Sequence, residues 1–148
     1  MKYKLSKRSL KKLNGVDERL VSVVKRAIEI TKQDFSVICG LRTIEEQRRL
    51  LAEGKTQTLD SNHLNGLAVD LAAYNNGISW SLEDYYEIAE AMRTAAKELG
   101  VRIRWGGYWI APLNSTNLPA DELVQIYIDT RRAQGRKVFL DAVHMELF

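Results

Sequence analysis

The sequence predicts an α+β fold, in which a small mixed sheet, mainly antiparallel, is flanked by helices. Its 148 residues suit one domain. Helical and strand-like patterns alternate along the chain, and this order alone would also suit an α/β fold with a parallel sheet. The strands are short, however, and long loops such as KTQTLDSNHLNG (55–66) and WGGYWIAPLNSTN (105–117) separate them. These two features suit the α+β arrangement at least as well, and it is the class that we predict.

Four helices are predicted from apolar residues at helical spacing. They are VDERLVSVVKRAIEITKQ (16–33), RTIEEQRRLLAEG (42–54), SLEDYYEIAEAMRTAAKELG (81–100) and LPADELVQIYIDTRRAQG (118–135). The second helix begins with a capping box, in which Thr43 is followed three residues later by Glu46. Ser81 and Gly100 are predicted to cap the third helix, and Pro119 suits the first turn of the fourth.

Four strands are predicted from short apolar runs. They are FSVIC (35–39), LAVDLAAY (67–74), VRIRW (101–105) and KVFLDAVHMELF (137–148), the last with a bend near its middle. Cys39, the only cysteine, ends the first strand, and we expect it to be a small core residue rather than a reactive thiol. A single cysteine excludes an internal disulfide framework and a cysteine-based zinc finger.

Composition and charge exclude several classes of protein. The chain is 45% hydrophobic and 28% charged, which is typical of a globular domain. No apolar run approaches the about 20 residues of a membrane span, and no apolar core follows the basic N-terminus as in a signal peptide. The net charge is +3, and the first 12 residues contain six basic residues and no acid. This segment is either a solvated arm or a region that weakly attracts a polyanion. The chain carries no nucleic-acid-binding motif.

The two histidines of the chain lie in distant segments that also carry carboxylates. His63 and Asp70 occur in SNHLNGLAVD (61–70), and His144 follows Asp141 in DAVHMELF (141–148). Both histidines could be ordinary hydrogen-bonded residues. A carboxylate inside an apolar run is unfavourable, however, unless it is paired or binds a metal. Two imidazoles and one carboxylate with an open fourth position are typical of catalytic zinc sites, whereas structural zinc more often has four ligands, usually thiolates.

The same segments resemble a known family of zinc peptidases. SNHLNGLAVDL is similar to the family's Ser-x-His-x6-Asp motif, and DAVHMEL to its closing Asp/Glu-x-x-His segment. The stretches 6–31, 35–58 and RWGGYW (104–109) match as well, so the resemblance spans nearly the whole chain. The family includes D-alanyl-D-alanine dipeptidases and carboxypeptidases. The resemblance is stronger to the L-alanyl-D-glutamate peptidases, many of which are bacteriophage endolysins.

This resemblance implies roles for individual residues. His63, Asp70 and His144 match the ligands of one zinc ion, held in a cleft on the sheet. Asp141 matches the catalytic carboxylate, which acts as general base and acid. Arg42, in GLRT, matches an arginine that stabilises the oxyanion of the tetrahedral intermediate.

Other positions have two open interpretations. Ser61 matches a serine that holds substrate or orients the site, but its hydroxyl could almost equally cap the loop. Glu146 could hold a metal ligand in place or be a charge on the strand surface. Gln47 and Arg48 match a helix beside the site and are interpreted as structural.

The chain also departs from the family pattern. Tyr108 stands where the family commonly has an acid, Met145 where it often has Phe, and the segment 109–137 is longer than expected. Asp141 and His144 would face opposite sides of a regular strand, because side chains alternate along it. For both to reach one metal ion, the chain must turn or bulge between them, and we predict that it does.

The resemblance implies a phage endolysin that cleaves the L-Ala–D-Glu bond of peptidoglycan stem peptides. We expect a monomer consisting of one catalytic peptidase domain, 1–148, without a separate cell-wall-binding domain, without nucleic acid and without stable membrane insertion. It would be made in the host cytoplasm without a signal peptide and reach the periplasm once a holin opens the membrane. The alternatives are a D-Ala-D-Ala dipeptidase or carboxypeptidase, and a non-catalytic zinc-containing wall-binding module. A nucleic-acid binder is supported only by charge.

Overall fold

The computed structural model describes residues 2–56, 58 and 60–148, so Gln57 and Leu59 of the predicted loop 55–66 lie outside the described residues. The helices are α1 (Lys7–Lys12), α2 (Glu18–Ile30), α3 (Ile44–Ala52), α4 (Leu82–Leu99) and α5 (Ala120–Ala133). The strands are β1 (Phe35–Cys39), β2 (Ala68–Tyr74), β3 (Ile78–Ser79), β4 (Ile103–Trp105) and β5 (His144–Leu147). Short 3-10 helices occur at Asn62–Asn65 and Leu113–Ser115.

The sheet has the order β1-β2-β5-β4, with the two-residue strand β3 paired to β2. Every strand pair in the described chain is antiparallel, which confirms the predicted α+β class and excludes the parallel alternative. The sheet brings the C-terminal strand between two earlier strands. Strands that are distant in sequence therefore become neighbours at its centre.

One face of the sheet packs on helices and the other carries polar side chains. Along β2, Val69, Leu71 and Ala73 belong to the hydrophobic core, together with residues of α2 and α4. Because side chains alternate along a strand, Asp70 lies on the opposite face. In β5, His144 alternates in the same way with the core residue Met145. The polar residues of the central strands therefore share the face that the helices leave open.

The predicted helix boundaries agree with the structure to within a few residues. Thr43 precedes α3, and its hydroxyl accepts a hydrogen bond from the backbone N–H of Glu46 at 3.2 Å, as the capping box predicts. Gly100 ends α4 in the left-handed conformation, with φ 67°. Ser81 occupies the N-cap position of α4, but within the described chain its hydroxyl makes no capping hydrogen bond. Pro119 is the N-cap residue of α5.

Helix α1 was not predicted from the sequence. It lies along β1, where the Ser9 hydroxyl accepts a hydrogen bond from the Val37 backbone N–H at 3.0 Å. Ser9 is buried, whereas the basic side chains of this segment are exposed. The basic N-terminal segment is therefore a folded part of the domain and not merely a solvated arm.

The last predicted strand was too long. Only His144–Leu147 pairs in the sheet, whereas 137–143 is irregular. Side chains satisfy carbonyl groups early in this segment: Arg131 donates to the Lys137 carbonyl at 2.9 Å, and Trp109 donates to the Phe139 carbonyl at 3.0 Å. At its end the Val143 carbonyl accepts a hydrogen bond from the Leu71 backbone N–H of β2 at 2.9 Å. In the part of the chain that the structure describes, no helix is long and apolar enough to cross a membrane.

Candidate active site

The register of the sheet sets Asp70 beside His144. The two residues are direct partners in the antiparallel pair of β2 and β5, while Cys39 of β1 is the partner of Asp70 on its other side. Directly opposed residues of an antiparallel pair project from the same face. Residues 74 positions apart in the chain are therefore neighbours on the open face of the sheet.

His63 reaches the same place from the 3-10 helix Asn62–Asn65, just before β2. Two hydrogen bonds tie this turn to the loop after β1. The His63 ring nitrogen Nδ1 lies 2.9 Å from the Gly40 carbonyl oxygen, and the Arg42 backbone N–H donates to the His63 carbonyl at 3.0 Å. Gly40 is required here, because an added Cβ would lie 2.0 Å from the Lys12 carbonyl oxygen at the end of α1.

Both imidazoles converge on one carboxylate oxygen. His63 Nε2 lies 3.2 Å from Asp70 Oδ1, and His144 Nδ1 lies 3.4 Å from the same oxygen. The other nitrogen of each ring is held by an acceptor: Gly40 holds His63, and Glu146 Oε1 lies 2.7 Å from His144 Nε2. The outer hydrogen bonds thus fix the orientation of each ring, with the inner nitrogens pointing toward Asp70.

This donor set fits a divalent transition metal. Metal-binding histidines commonly donate their second N–H to a carboxylate or a backbone carbonyl, which fixes the tautomer, and both histidines here are arranged in this way. Two imidazole nitrogens and one carboxylate oxygen form the usual protein contribution to a catalytic zinc site. His63 Nε2, His144 Nδ1 and Asp70 Oδ1 are atoms that could hold such an ion.

The charges of the three residues are strongly coupled. Burial opposes the charged form of His63, but the hydrogen bonds and negative charge of Asp70 and Cys39 together outweigh burial and raise its pKa to about 10. His144 is likewise buried, and its hydrogen bonds to Asp70 and Glu146 raise its pKa to about 9. Despite burial, the two imidazoles hold the pKa of Asp70 well below its ordinary value. Without a metal, both nitrogens of each imidazole therefore carry a proton at neutral pH. An incoming cation must displace the proton on the inner nitrogen.

Asp141 approaches the site from a turn that precedes β5. The His144 backbone N–H donates to the Asp141 carbonyl at 3.0 Å, so the predicted turn between these residues is present. Side-chain oxygens of Asp141 and Asp70 and a ring nitrogen of His144 lie within 4.8 Å of one another. Burial, followed by the neighbouring Asp70 carboxylate, raises the pKa of Asp141 above its ordinary value.

Gly106 makes this turn possible. Its backbone N–H donates to the His144 carbonyl at 2.9 Å, and its carbonyl accepts from the Asp141 N–H at 3.0 Å. A Cβ at this position would lie 2.0 Å from the Asp141 carbonyl oxygen. The first glycine of WGGYW, Gly106, therefore allows its backbone to pack closely against that of Asp141, and this contact positions Asp141.

Arg42 lies beside the carboxylate of the site. Its Nη2 is 3.6 Å from Asp70 Oδ2, and its side chain is only 10% exposed. Gln47 is fully buried, and its side-chain oxygen accepts a hydrogen bond from Arg42 Nη1 at 2.6 Å. The structural role of Gln47 is therefore to hold the Arg42 side chain in place. Arg42 Nη2 also donates to Cys39 Sγ at 3.3 Å. Arg48, on the same helix as Gln47, is exposed.

The expectation that Cys39 is simply a core residue was wrong. Its side chain is half-buried at the side of the site, and its sulfur lies 3.7 Å from His63 Nδ1. The strand register explains this position, because Cys39 is the cross-strand partner of Asp70. An apolar run in the sequence does not reveal which face of the sheet its last residue occupies.

The structure also bears on the two residues with open interpretations. The Ser61 hydroxyl accepts a hydrogen bond from the His63 backbone N–H at 3.2 Å, so it caps the 3-10 helix while also lining the cleft. Glu146 is buried against His144, and its Oε2 lies 3.5 Å from Arg104 Nε. Burial alone would raise the pKa of Glu146, but the hydrogen bond and charge of His144, together with the charge of Arg104, outweigh burial and lower that pKa.

These residues line one open cleft of about 570 Å³. Its lining includes all six residues that the sequence indicated, namely Arg42, Ser61, His63, Asp70, Asp141 and His144. Sequence reasoning missed the wall formed by Trp109, Tyr127, Arg131 and Phe139. The WGGYW motif contains Trp109, so the sequence could have indicated Trp109 as a site residue. Tyr127 and Arg131 lie on the amphipathic helix α5, whose sequence pattern does not distinguish site residues from other surface residues.

Three comparisons relate the chain to known proteins. The family described as "Phage L-alanyl-D-glutamate peptidase" matches residues 1–148. The chain is 37% identical over 116 residues to the L-alanyl-D-glutamate peptidase of Escherichia phage T5, a match covering 75% of this chain and 85% of that protein. It is also similar to the crystal structure of the Serratia marcescens L-Ala D-Glu endopeptidase ChiX, with a TM-score of 0.75 and 33% identity. That likeness covers 99% of this chain and 92% of the other.

Proposed function

The chain belongs to the phage L-alanyl-D-glutamate peptidase family, and we propose that it hydrolyses the L-Ala–D-Glu bond of peptidoglycan stem peptides with one zinc ion. Its family makes it a peptidoglycan peptidase, and thus a hydrolase. The ligands we propose are His63, Asp70 and His144. The observation that carries the proposal is the outward anchoring of both imidazoles, by Gly40 and Glu146, with their inner nitrogens aimed at one Asp70 oxygen.

A bound zinc ion would acidify a water molecule and polarise the scissile carbonyl. Asp141 is proposed to take a proton from the attacking water and deliver it to the leaving nitrogen of D-Glu. The raised pKa of Asp141 suits both steps. A carboxyl group whose pKa lies nearer to the working pH can both accept a proton and donate it. Burial therefore helps to tune the carboxyl group for its proposed task.

Arg42 is proposed to stabilise the negative charge that develops on the carbonyl oxygen. It is held in place by Gln47 and Cys39, and it is largely shielded from water. A cation fixed in advance requires little reorganisation during the reaction, and shielding strengthens its effect on a developing charge. Ser61 is proposed to assist by holding the His63 turn and by lining the cleft for substrate.

We also propose that residues 1–148 act as one monomeric peptidase domain in a phage lysis system. The protein would be made in the host cytoplasm and act on the periplasmic wall after a holin opens the membrane. The relative from Escherichia phage T5 supports a phage setting. Expression in a bacterial host with and without a holin tests this point, since lysis should require both proteins.

One experiment tests the chemistry. Metal content and hydrolysis of purified peptidoglycan are measured on the same sample, with and without a chelator, and new termini are read by mass spectrometry. About one zinc per chain, chelator-sensitive cleavage and a new N-terminal D-Glu are expected. Release of D-Ala instead would point to the D-Ala-D-Ala peptidases, and bound zinc without cleavage would point to a wall-binding module.

A further inference from the structure

One wall of the cleft is a rigid assembly built around the backbone of Phe139. Trp109 Nε1 and the Tyr127 hydroxyl both donate to the Phe139 carbonyl, at 3.0 and 3.1 Å, and the Phe139 N–H donates back to Tyr127 at 3.2 Å. The Trp109 ring stacks on Phe139 and lies 5.2 Å from the His144 ring centre. This wall therefore joins α5 directly to the candidate metal ligands.

Arg131 extends this wall by one helical turn. It follows Tyr127 by four residues on α5, so the two side chains lie on the same face of the helix. Its Nε donates to the Lys137 carbonyl at 2.9 Å, which fixes the plane of the guanidinium group beside the chain that leads to Asp141. The half-buried Arg131 lines the cleft. An arginine held by Nε alone retains two terminal NH₂ groups with which to bind a ligand.

The other cations of the cleft are engaged by carboxylates. Arg42 lies 3.6 Å from Asp70, and Lys55 lies 3.2 Å from Glu53. Among residues 2–56, 58 and 60–148, no carboxylate forms an ion pair with Arg131. Within the described chain, Arg131 therefore differs from Arg42 and Lys55 in having no carboxylate partner, and it can accept one from a ligand.

The proposed substrate supplies such an anion. Glutamate has two carboxyl groups; when its amino group is acylated by L-Ala and one carboxyl group continues the peptide, the other remains free. A guanidinium group matches a carboxylate in shape and charge and binds it through two parallel hydrogen bonds. Asp141 has to reach the nitrogen of this same D-Glu residue, and the Arg131–Lys137 hydrogen bond lies at the start of the segment that carries Asp141.

We infer that Arg131 binds the free carboxylate of the D-Glu residue on the leaving-group side of the scissile bond, and so determines specificity for an acidic residue there. The inference rests on the proposed function, because it takes D-Glu as the leaving residue. A charge-assisted hydrogen bond in a partly desolvated cleft corresponds to about a 10- to 100-fold preference for carboxylate over carboxamide.

The test compares two synthetic stem peptides that differ only in this group, one with the free carboxylate of D-Glu and one with its carboxamide. The wild-type enzyme should cleave the carboxylate peptide about 10- to 100-fold more efficiently, measured as kcat/KM. Arg131→Gln should abolish most of this preference, mainly by raising KM for the carboxylate peptide. Arg131→Lys should restore part of it, because a lysine keeps the charge without the planar fork.

Arg132→Gln is the matched control, since Arg132 is the exposed neighbour on the same helix and does not line the cleft. It removes the same charge and should retain the wild-type preference. An equal loss on both peptides in Arg131→Gln would overturn the inference, because Arg131 would then merely support the wall. An unchanged preference in Arg131→Gln would overturn it as well.

Binding of a product peptide that begins with D-Glu, measured by calorimetry, separates this inference from the proposed function. If the wild type cleaves neither peptide but binds the product in an Arg131-dependent manner, the proposed reaction fails and the carboxylate site stands. If it cleaves the L-Ala–D-Glu bond but binds the product equally well with Gln at position 131, the reaction stands and the carboxylate site fails.

Discussion

Glu146 Oε1 lies 2.7 Å from His144 Nε2, and both residues are buried. The contact joins two side chains on the same face of β5, two residues apart, and it leaves His144 Nδ1 directed toward Asp70. Glu146→Gln keeps the size of the side chain but removes its charge. We expect zinc affinity to fall about 10- to 100-fold, as for other groups that orient metal-binding histidines. Competition with a chromogenic chelator measures it, and unchanged affinity would contradict this role.

Removing either imidazole should abolish metal binding and activity together. In His63→Ala or His144→Ala, only one imidazole and Asp70 remain of the proposed ligands, which is too few for a catalytic zinc site. Zinc content by mass spectrometry and peptidoglycan cleavage should both fall to background, while circular dichroism verifies the fold. A variant that lost zinc but kept full activity would remove the metal from the mechanism.

Asp141→Asn should separate metal binding from turnover. Asparagine fills the same space but cannot accept the proton of the attacking water, so kcat should fall about 10²- to 10⁴-fold. Zinc content should stay at about one per chain, because the proposed ligand set is untouched. A fully active Asp141→Asn enzyme would show that the general base lies elsewhere.

Gly106→Ala should damage the turn that carries Asp141. The new Cβ would lie 2.0 Å from the Asp141 backbone oxygen, which cannot move without disturbing β5. We expect a loss of about 2–3 kcal/mol of unfolding free energy, together with reduced activity. Gly54→Ala is the comparison: its Cβ meets nothing within 4 Å in the described chain, so only the left-handed backbone matters, at about 1 kcal/mol. If urea unfolding showed the same loss of unfolding free energy in Gly106→Ala and Gly54→Ala, the close contact at Gly106 would not explain the effect.

Metal binding at neutral pH should release protons. The raised pKa values of about 10 for His63 and about 9 for His144 mean that both rings are protonated at pH 7 without metal, and a metal binds only the deprotonated nitrogen. Up to two protons should therefore leave, and affinity should fall as pH falls. Calorimetry in buffers of different ionisation enthalpy counts these protons. A count of zero would show that neither imidazole is doubly protonated before the metal binds.

The same values predict the pH dependence of the metal-free protein. A pKa raised in the folded state stabilises that state below the unfolded value of 6.5, and the contribution is lost as pH rises through 9 and 10. The metal-free protein should therefore melt at a lower temperature at pH 10 than at pH 6.5. His63→Gln should reduce this difference, and thermal unfolding with chelator present measures both.

The sequence by itself indicated the fold class and the six candidate site residues, but not the wall of Trp109, Tyr127, Arg131 and Phe139. Helical and strand periodicities are local properties of a chain, so α2 to α5 and the cores of β1, β2 and β4 were visible before the structure. The two histidine segments were equally visible, because polar side chains within apolar runs need a partner. Their spacing also indicated that the chain had to turn between Asp141 and His144.

The tertiary structure alone decided how these residues meet. The strand order placed His144 opposite Asp70, the outer contacts of Gly40 and Glu146 decided which ring nitrogens face inward, and the same register moved Cys39 to the side of the site. The irregular path of 137–143 likewise depends on side chains of α5 and Trp109 that bind its carbonyl groups. Such contacts join segments far apart in sequence, and no local pattern in the chain encodes the partner that each group finds.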